Sequence, residues 1–229
     1  DWFKEVKKDL SDRFTQSVSG LDLYQGLVGA GSWGNDDYLP RILVYDLEND
    51  REILNWEFSE IGDIYTFKFI PTTDYAVIAG DNGIRIINYR NNGQIKWTGV
   101  DSGIGKAVSL SPNGEEIVFT KNEKSNKIYF LNISDLDNLD PNQEPEEKQI
   151  LDENGDPTEL PANYGRLSYT PDGEYLVINS NRINILTIID RDSMKIVKQY
   201  GFGNGAIAID QKGNIVATDP SGKQLTCID

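Results

Sequence analysis

The sequence of 229 residues predicts an all-β protein built from repeated units. Short apolar runs of strand length alternate with turns rich in Pro, Asp, Asn and Gly, as in "TPDGEYLVINSNRINILTIID" at residues 170–190. The same turn recurs along the chain, and its second position is occupied by Pro71, Pro112, Pro171 and Gln211. The intervals between these positions are 41, 59 and 40 residues, and we interpret 59 as one period plus an insertion.

A period near 40 residues with three or four short strands in each copy is typical of β-propeller blades. A more diverged first copy spans residues 23–58. One acidic or amide position ends the third strand of each copy and is filled by Asp46, Asn88, Asn132, Asp190 and Asp229. Because a small sheet cannot bury both faces alone, blades pack face to face around an axis. Residues 15–229 are therefore predicted to form a propeller of about five four-stranded blades, or part of a larger propeller.

The N-terminal segment has a different period. "DWFKEVKKDLSDRF", residues 1–14, places apolar side chains at helical spacing at Trp2, Phe3, Val6, Leu10 and Phe14. We predict a short amphipathic helix over residues 1–14. The next segment, residues 15–20, is predicted to be a strand that closes the ring by pairing with the last blade.

The amino-acid composition excludes several classes of catalytic site and disfavours some classes of partner. The chain has no histidine, which excludes Ser-His-Asp and Cys-His nucleophile systems and histidine-ligated zinc or haem. The 37 acidic and 22 basic residues give a net charge of −15, which disfavours nucleic acid and anionic lipid as partners. No apolar stretch approaches the roughly 20 residues of a membrane span, so membrane insertion is not expected. The lone cysteine, Cys227, is interpreted as a small core residue.

Two segments resemble known propeller repeats. "TPDGEYLVINSNRINILTIIDRDSMKIVKQ" resembles the YVTN-type repeat, and "RILVYDLENDREIL" resembles a WD-repeat strand pair in which Tyr45 and Asp46 replace Trp-Asp. The resemblance covers roughly residues 20–229. It implies the propeller fold, and the YVTN likeness favours an extracytoplasmic location. It leaves function open, because propellers host many activities.

A candidate binding loop interrupts the first copy between its second and third strands. In "GSWGNDDYLP", residues 31–40, Trp33 and Tyr38 supply aromatic area and Asp36 and Asp37 supply charge. This combination suits contact with a protein or a sugar. We predict a non-catalytic scaffold, or a subunit of a larger assembly, that binds a protein partner.

The alternative is a carboxylate-dependent, five-bladed glycosidase-like or other sugar-active enzyme. In such an enzyme Asp63 and Asp101 would act as acid and base across the axis, at a carboxyl separation of roughly 5 to 10 Å. A lyase or a small-ligand binder also stays open.

The insertion at residues 135–160 is strongly acidic. It holds ten Asp and Glu residues against the single base Lys148, and it contains three prolines. We predict that it projects from the blades as an extended arm and steers a basic partner.

Within the same insertion, Asp152, Asn154 and Asp156 place oxygen side chains at alternate positions around a glycine turn, a spacing that suits a weak calcium site. The glutamate that completes an EF-hand loop is missing, since Asn163 stands at that position. No other cofactor is predicted.

Overall fold

The computed structural model describes residues 17–34, 38–99, 107–120, 126–159, 164–180, 185–201, 207–218 and 225–228. Across these ranges the protein is all-β, and the only helical segment is a single 3-10 turn, Ser59–Ile61. None of the helices in this part of the chain is long and apolar enough to cross a membrane. The helix predicted over residues 1–14 lies outside the described residues.

The strands form five antiparallel sheets that follow the chain, which we call blades 1 to 5. Blade 1 contains β1 (Val18–Tyr24), β2 (Leu27–Ser32), β3 (Arg41–Asp46) and β4 (Arg51–Glu57), and blade 2 contains β5 (Ile64–Phe69), β6 (Tyr75–Gly80), β7 (Gly83–Asn88) and β8 (Gln94–Gly99). Blade 3 contains β9 (Val108–Leu110), β10 (Glu116–Phe119), β11 (Lys127–Asn132) and β12 (Glu146–Gln149). Blade 4 contains β13 (Tyr164–Tyr169), β14 (Tyr175–Ser180), β15 (Ile185–Asp190) and β16 (Ile196–Tyr200). The described part of blade 5 contains β17 (Ile207–Ile209), β18 (Ile215–Thr218) and β19 (Leu225–Ile228).

The pairing register repeats from blade to blade. The first residue of the second strand pairs with the position predicted to end the third strand, as in Leu27 with Asp46, Tyr75 with Asn88, Glu116 with Asn132 and Tyr175 with Asp190. First strands of neighbouring blades also contact each other, β1 with β5, β5 with β9 and β9 with β13. The first strand is therefore the innermost one, nearest the axis.

Four apolar clusters lie between successive blades. The clusters join blades 1 and 2 around Phe67, blades 2 and 3 around Trp97, blades 3 and 4 around Phe130, and blades 4 and 5 around Leu186. Strands in these interfaces are apolar on both faces, because each central blade packs on two neighbours. The fold prediction of an all-β propeller with about five blades is confirmed.

The prediction of a closing strand at residues 15–20 is wrong. Val18 begins β1 and pairs with Ser32 of β2, and Gly20 pairs with Gly31, so residues 18–20 belong to the innermost strand of blade 1. The diverged first copy hid this strand, because its polar "SVSG" lacks the apolar run of the later copies.

The prediction of a projecting acidic arm is also wrong. Leu136 and Leu139 are buried in the cluster between blades 2 and 3, and Glu146–Gln149 forms the outer strand of blade 3. The indole nitrogen of Trp97 donates to the Gln143 carbonyl at 3.0 Å, and Lys96 Nζ donates to the Asp137 carbonyl at 2.8 Å. Acidic residues such as Asp135, Asp137 and Glu146 are exposed, while the two leucines pack on the blades.

The interpretation of Cys227 as a small core residue is wrong as well. Cys227 lies on β19 in blade 5 and is exposed.

Candidate binding surface

The propeller has two ends that differ in the kind of chain they carry. The hairpin end carries the turns between first and second strands and between third and fourth strands, at residues 25–26 and 47–50 in blade 1. The connection end carries the β2–β3 loop, residues 33–40, and the link from blade 1 to blade 2, residues 58–63. The predicted binding loop therefore lies at the end where the chain passes between blades.

Backbone hydrogen bonds hold both ends of this loop. The Trp33 amide donates to the Ser17 carbonyl at 3.1 Å, and the Gly34 amide donates to Asp63 Oδ1 at 2.8 Å. On the far side, the Arg41 amide donates to Ser32 Oγ at 3.0 Å. Gly34 lies directly against the ring of Pro40, where a Cβ would overlap the proline side chain. The loop is thus folded back on itself and tied to blade 2.

Three large apolar side chains of the loop remain open to solvent. Trp33 is 43% exposed, Tyr38 is 48% exposed and Leu39 is 50% exposed. The Trp33 ring meets Tyr65 of blade 2 edge to face, with centroids 6.3 Å apart. We call Trp33, Tyr38, Leu39 and Tyr65 the Trp33 patch. The other two predicted binding residues, Asp36 and Asp37, lie outside the described residues.

Two aspartates, Asp63 and Asp81, hold the blade 2 side of the patch through hydrogen bonds. Asp81 Oδ1 accepts the Tyr65 hydroxyl at 2.8 Å, and Asp81 Oδ2 accepts the Asp63 amide at 3.2 Å. Burial, and then the hydrogen bond to Asp81, raise the pKa of Tyr65, so its hydroxyl stays a donor at neutral pH. Sequence reasoning missed Tyr65 and Asp81. The signal available in the sequence was a repeated Gly-Asp pair. It occurs as Gly62-Asp63 at the end of the link between blades 1 and 2, and as Gly80-Asp81 at the end of β6.

Asp63, the acid proposed for a glycosidase-like mechanism, has a visible positioning role. Its carboxylate accepts the Gly34 amide, and its backbone exchanges hydrogen bonds with Asp81. Its suggested counterpart, Asp101, lies outside the described residues.

The candidate calcium residues form a turn stabilised by hydrogen bonds of its own. Asp152 Oδ1 accepts the Asn154 amide at 2.8 Å and the Asp156 amide at 2.9 Å. These bonds hold the pKa of the Asp152 carboxyl below its usual range, the Asp156 amide having the larger effect. No group of three or more His, Cys, Asp or Glu residues in the described part of the chain could hold a metal ion. The calcium site stays a prediction.

The hairpin end carries clefts between blades. Three open clefts of about 530, 500 and 570 Å³ lie between blades 1 and 2, 2 and 3, and 3 and 4. Each cleft is lined by residues from two neighbouring blades. These residues belong to the turns between first and second strands and to the ends of third strands. Since they recur at equivalent places with similar size, we attribute them to the repeat geometry and not to a specialised site.

Comparison of the sequence with protein-family models and with curated proteins finds no match. The five antiparallel blades are established by the sheet topology alone. The loop that carries the Trp33 patch, residues 33–40, is longer than the corresponding β6–β7 link of blade 2, which is the two-residue turn at 81–82.

Proposed function

We propose that this protein is a non-catalytic β-propeller that binds a protein partner, as a scaffold or subunit of an assembly, through the Trp33 patch. The observation that carries the proposal is the set of half-exposed apolar side chains, Trp33, Tyr38 and Leu39, on one anchored loop. Aromatic side chains that lose the remaining water on binding supply most of the energy of many protein interfaces. The loop is longer than the equivalent link of blade 2, so it adds contact area at the connection end of blade 1.

Anchoring of the start of the loop supports a binding role. The Gly34–Asp63 and Trp33–Ser17 hydrogen bonds position Trp33 before any partner arrives. Preorganised contact residues lose less conformational entropy when a complex forms, which increases affinity without new contacts. Asp63 thus acts in the proposal as a positioning residue for the patch.

The charge of the protein favours a basic partner. Asp63 and Asp81 lie beside the patch, Glu60 is exposed on the neighbouring link, and the chain carries a net charge of −15. We include Asp36 and Asp37 of the loop in the proposed contact surface. Acidic groups around an apolar centre steer a basic partner and weaken its association as salt rises.

We also propose that the repeats are of the YVTN or WD type. Support comes from the position that ends the third strand, whose side chain caps the following turn. Asp46 Oδ1 accepts the amides of Glu48 and Asn49, Asn88 Oδ1 accepts those of Arg90 and Asn91, and Asp190 Oδ1 accepts that of Ser193. This shared turn explains why one acidic or amide residue recurs in that slot.

The test is quantitative capture of binding proteins from the native source with matched baits. The baits are the wild-type chain, Trp33→Ala combined with Tyr38→Ala, and the control Val197→Ala, which trims another exposed apolar residue. We expect the double variant to lose a partner that the control retains, by about 30-fold or more for a hot-spot pair. Recovery of the same proteins at equal yield from all three baits would contradict the proposal.

A further bait distinguishes the positioning role of Asp63 from direct contact of the Trp33 patch with the partner. Asp63→Ala removes the acceptor for the Gly34 amide and leaves all four patch side chains in place. Its binding should weaken less than that of the double variant, and the loss should grow with temperature because the loop is less ordered.

A further inference from the structure

The turns between first and second strands share one arrangement in blades 3, 4 and 5. The residue at the fourth position of each turn is a glycine with a positive φ, between 74° and 90°, and its amide donates to the carbonyl of the first position. These glycines are Gly114, Gly173 and Gly213. Glycine has no Cβ, so it adopts a positive φ without steric cost.

The corresponding turn of blade 2 contains no glycine. It reads Ile70-Pro71-Thr72-Thr73, and its positive φ falls on the third residue, Thr72, at 62°. Among the described residues with a positive φ, Thr72 is the only one that is branched at Cβ. A branched side chain crowds the backbone in this conformation, so Thr72 is a strained residue.

The hydroxyl of Thr73 closes this turn in place of a glycine amide. It donates to the Ile70 carbonyl at 2.8 Å and accepts the Tyr75 amide at 3.1 Å. In blade 4 the equivalent carbonyl accepts the Gly173 amide, and the Thr170 hydroxyl accepts the amide equivalent to that of Tyr75. The blade 2 turn is thus held by a different set of hydrogen bonds.

A tyrosine of blade 1 completes that set. The Thr72 amide donates to the Tyr24 hydroxyl at 2.8 Å, across the boundary between blades 1 and 2. In the next three blades the residue equivalent to Tyr24 is shorter, and it is Ile70, Ser111 and Thr170 respectively. The contact is therefore particular to the pair formed by blades 1 and 2.

The arrangement of blades 3 to 5 is strained in the blade 2 sequence as well. It would move the positive φ from Thr72 to Thr73, which is also branched at Cβ. Since the strain is similar in both arrangements, hydrogen bonds decide between them. One hydrogen bond and one strained residue contribute free energies of the same order. Withdrawal of the Tyr24 hydroxyl therefore brings the two arrangements close to balance.

We infer that the β5–β6 turn, residues 70–75, is a two-state latch whose conformation is selected by Tyr24 of blade 1. While the Tyr24 hydroxyl accepts the Thr72 amide, the turn keeps its positive φ at Thr72. When that hydroxyl is withdrawn, the turn exchanges with the arrangement of the other blades. Tyr24 and the turn both line the open cleft of about 530 Å³ between blades 1 and 2, so the latch sets the shape of one cleft wall. The latch lies at the hairpin end and is independent of the Trp33 patch.

Two glycine variants separate the two states, because each removes the strain from one of them. Thr72→Gly favours the present arrangement, and Thr73→Gly favours that of blades 3 to 5. In urea unfolding, Tyr24→Phe should lower the ratio of folded to unfolded protein by about five-fold in the Thr72→Gly background, where the hydrogen bond is made. In the Thr73→Gly background it should change that ratio by less than about two-fold, because the bond is absent. Equal losses in both backgrounds would overturn the inference.

A third glycine variant controls for the effect of glycine itself. Lys212 is exposed and occupies the third position of the blade 5 turn, where φ is not positive. Thr72→Gly should raise the ratio of folded to unfolded protein by about five-fold through relief of strain. Lys212→Gly should lower that ratio or leave it unchanged, because glycine there only adds freedom to the unfolded chain. A loss of stability in both variants would show that Thr72 is not strained.

Nuclear magnetic resonance observes the latch directly. The Tyr75 amide accepts different partners in the two arrangements, so its resonance in Thr72→Gly and in Thr73→Gly marks the two end points. In Tyr24→Phe alone, we expect this resonance to lie between the end points or to broaden by exchange on the μs–ms timescale. The Asn113 amide, in the equivalent turn of blade 3, should not change. A Tyr75 resonance that Tyr24→Phe leaves at the wild-type position without broadening would contradict the latch.

Discussion

Glu116 joins two blades through three charged or polar contacts. From β10 of blade 3 it accepts the Tyr169 hydroxyl of blade 4, and its two carboxylate oxygens both accept from Arg191 Nη2, at 2.9 and 2.8 Å. The Arg191 guanidinium also lies over the Phe130 ring at 5.6 Å. The Glu116 side chain is only 19% exposed, so these bonds are better protected from water than a surface ion pair.

Replacing Glu116 should therefore destabilise the propeller. Glu116→Ala leaves Tyr169 and Arg191 without their shared acceptor, and we expect a loss of about 2 kcal/mol in the free energy of unfolding measured in urea. Glu115→Ala is the matched control, because Glu115 is the exposed neighbour and should change stability by less than about 0.5 kcal/mol. Equal stability of the two variants would show that the contacts of Glu116 with Tyr169 and Arg191 contribute nothing.

The pKa values of three tyrosines, Tyr65, Tyr89 and Tyr169, are raised, so these residues should ionise later than an ordinary tyrosine. Burial is the main cause that raises the pKa of Tyr65 and the pKa of Tyr169. The second cause is a hydrogen bond, from Tyr65 to Asp81 and from Tyr169 to Glu116. A raised pKa means that the folded state keeps the proton that the unfolded chain loses near pH 10. Their contribution to stability is thus complete below about pH 10 and is lost as the pH rises above it.

Alkaline titration followed by phenolate absorbance measures this directly. We expect late-ionising groups in the folded protein, one of which is lost in Tyr65→Phe and another in Tyr169→Phe. A single transition near the ordinary tyrosine value in all three proteins would contradict the assignment.

At the scale of elements, the acidic insertion is a structural part of blade 3. Its outer strand, Glu146–Gln149, pairs with β11, and Leu151 continues to a bridge with Lys195 of blade 4. Ile150 is fully buried in the cluster between blades 3 and 4. The insertion thus contributes apolar side chains to two blade interfaces, and its charged side chains lie on the outside of a packed segment.

Truncating the buried leucines of this insertion tests that assignment. Leu136→Ala and Leu139→Ala should each lower the free energy of unfolding by about 2 to 4 kcal/mol, because each leaves a cavity beside Trp97 and Leu131. Asp137→Ala, between them in the chain and exposed, is the control and should be close to neutral. If both leucine variants unfold at the wild-type urea concentration, the segment does not pack on the blades in solution.

Calcium should affect the insertion weakly. The Asp152 carboxylate already caps its turn with the Asn154 and Asp156 amides, so the turn forms from the protein's own donors. We expect calorimetry in Ca²⁺ and in chelator to give melting temperatures within about 2 °C of each other, since binding far above Kd is needed for a larger shift. A rise of many degrees that Asp156→Ala abolishes would establish a calcium site.

Local patterns predicted more of this structure than long-range ones could. The turn chemistry at Pro112 and Pro171 and the capping position at Asp46 depend on neighbours within a few residues, and both are confirmed in the blades. The sequence also located the Trp33 loop between two strands. By contrast, the Asp63 contact to Gly34 joins residues 29 apart, and the Glu116 contact to Arg191 joins residues 75 apart. The dominant acidic composition of the insertion also masked its two core leucines.

At the scale of the whole molecule, burial is greatest in the middle of the array. Blade 2 packs on a neighbour at both faces, and Phe67, Ile78 and Ile86 are at most 1% exposed. In blade 5 the inner positions Ile207 and Ile209 are only partly buried. Because each blade contacts only its neighbours, stability should vary along the array as in other repeat proteins.

Hydrogen exchange should show this gradient. We expect amides of β18 to exchange at least about ten-fold faster than those of β6, since the described strands of blade 5 hold fewer buried apolar side chains than blade 2. Leu225→Glu should leave the rates in β6 unchanged. Equal protection of the two strands would indicate one cooperative unit in place of a graded array.

The interface between blades 1 and 2 also restricts which blades could be duplicated in tandem. Gly29 and Gly31 leave the space that the Phe67 ring and the Ile64 side chain occupy, and a Cβ at either glycine would overlap them. The equivalent positions in blade 2 are Val77 and Ala79. A tandem duplication of blade 2 would therefore set the second Phe67 against a valine. The repeats share one strand register, but the side chains between blades 1 and 2 fit only in the order in which these blades occur.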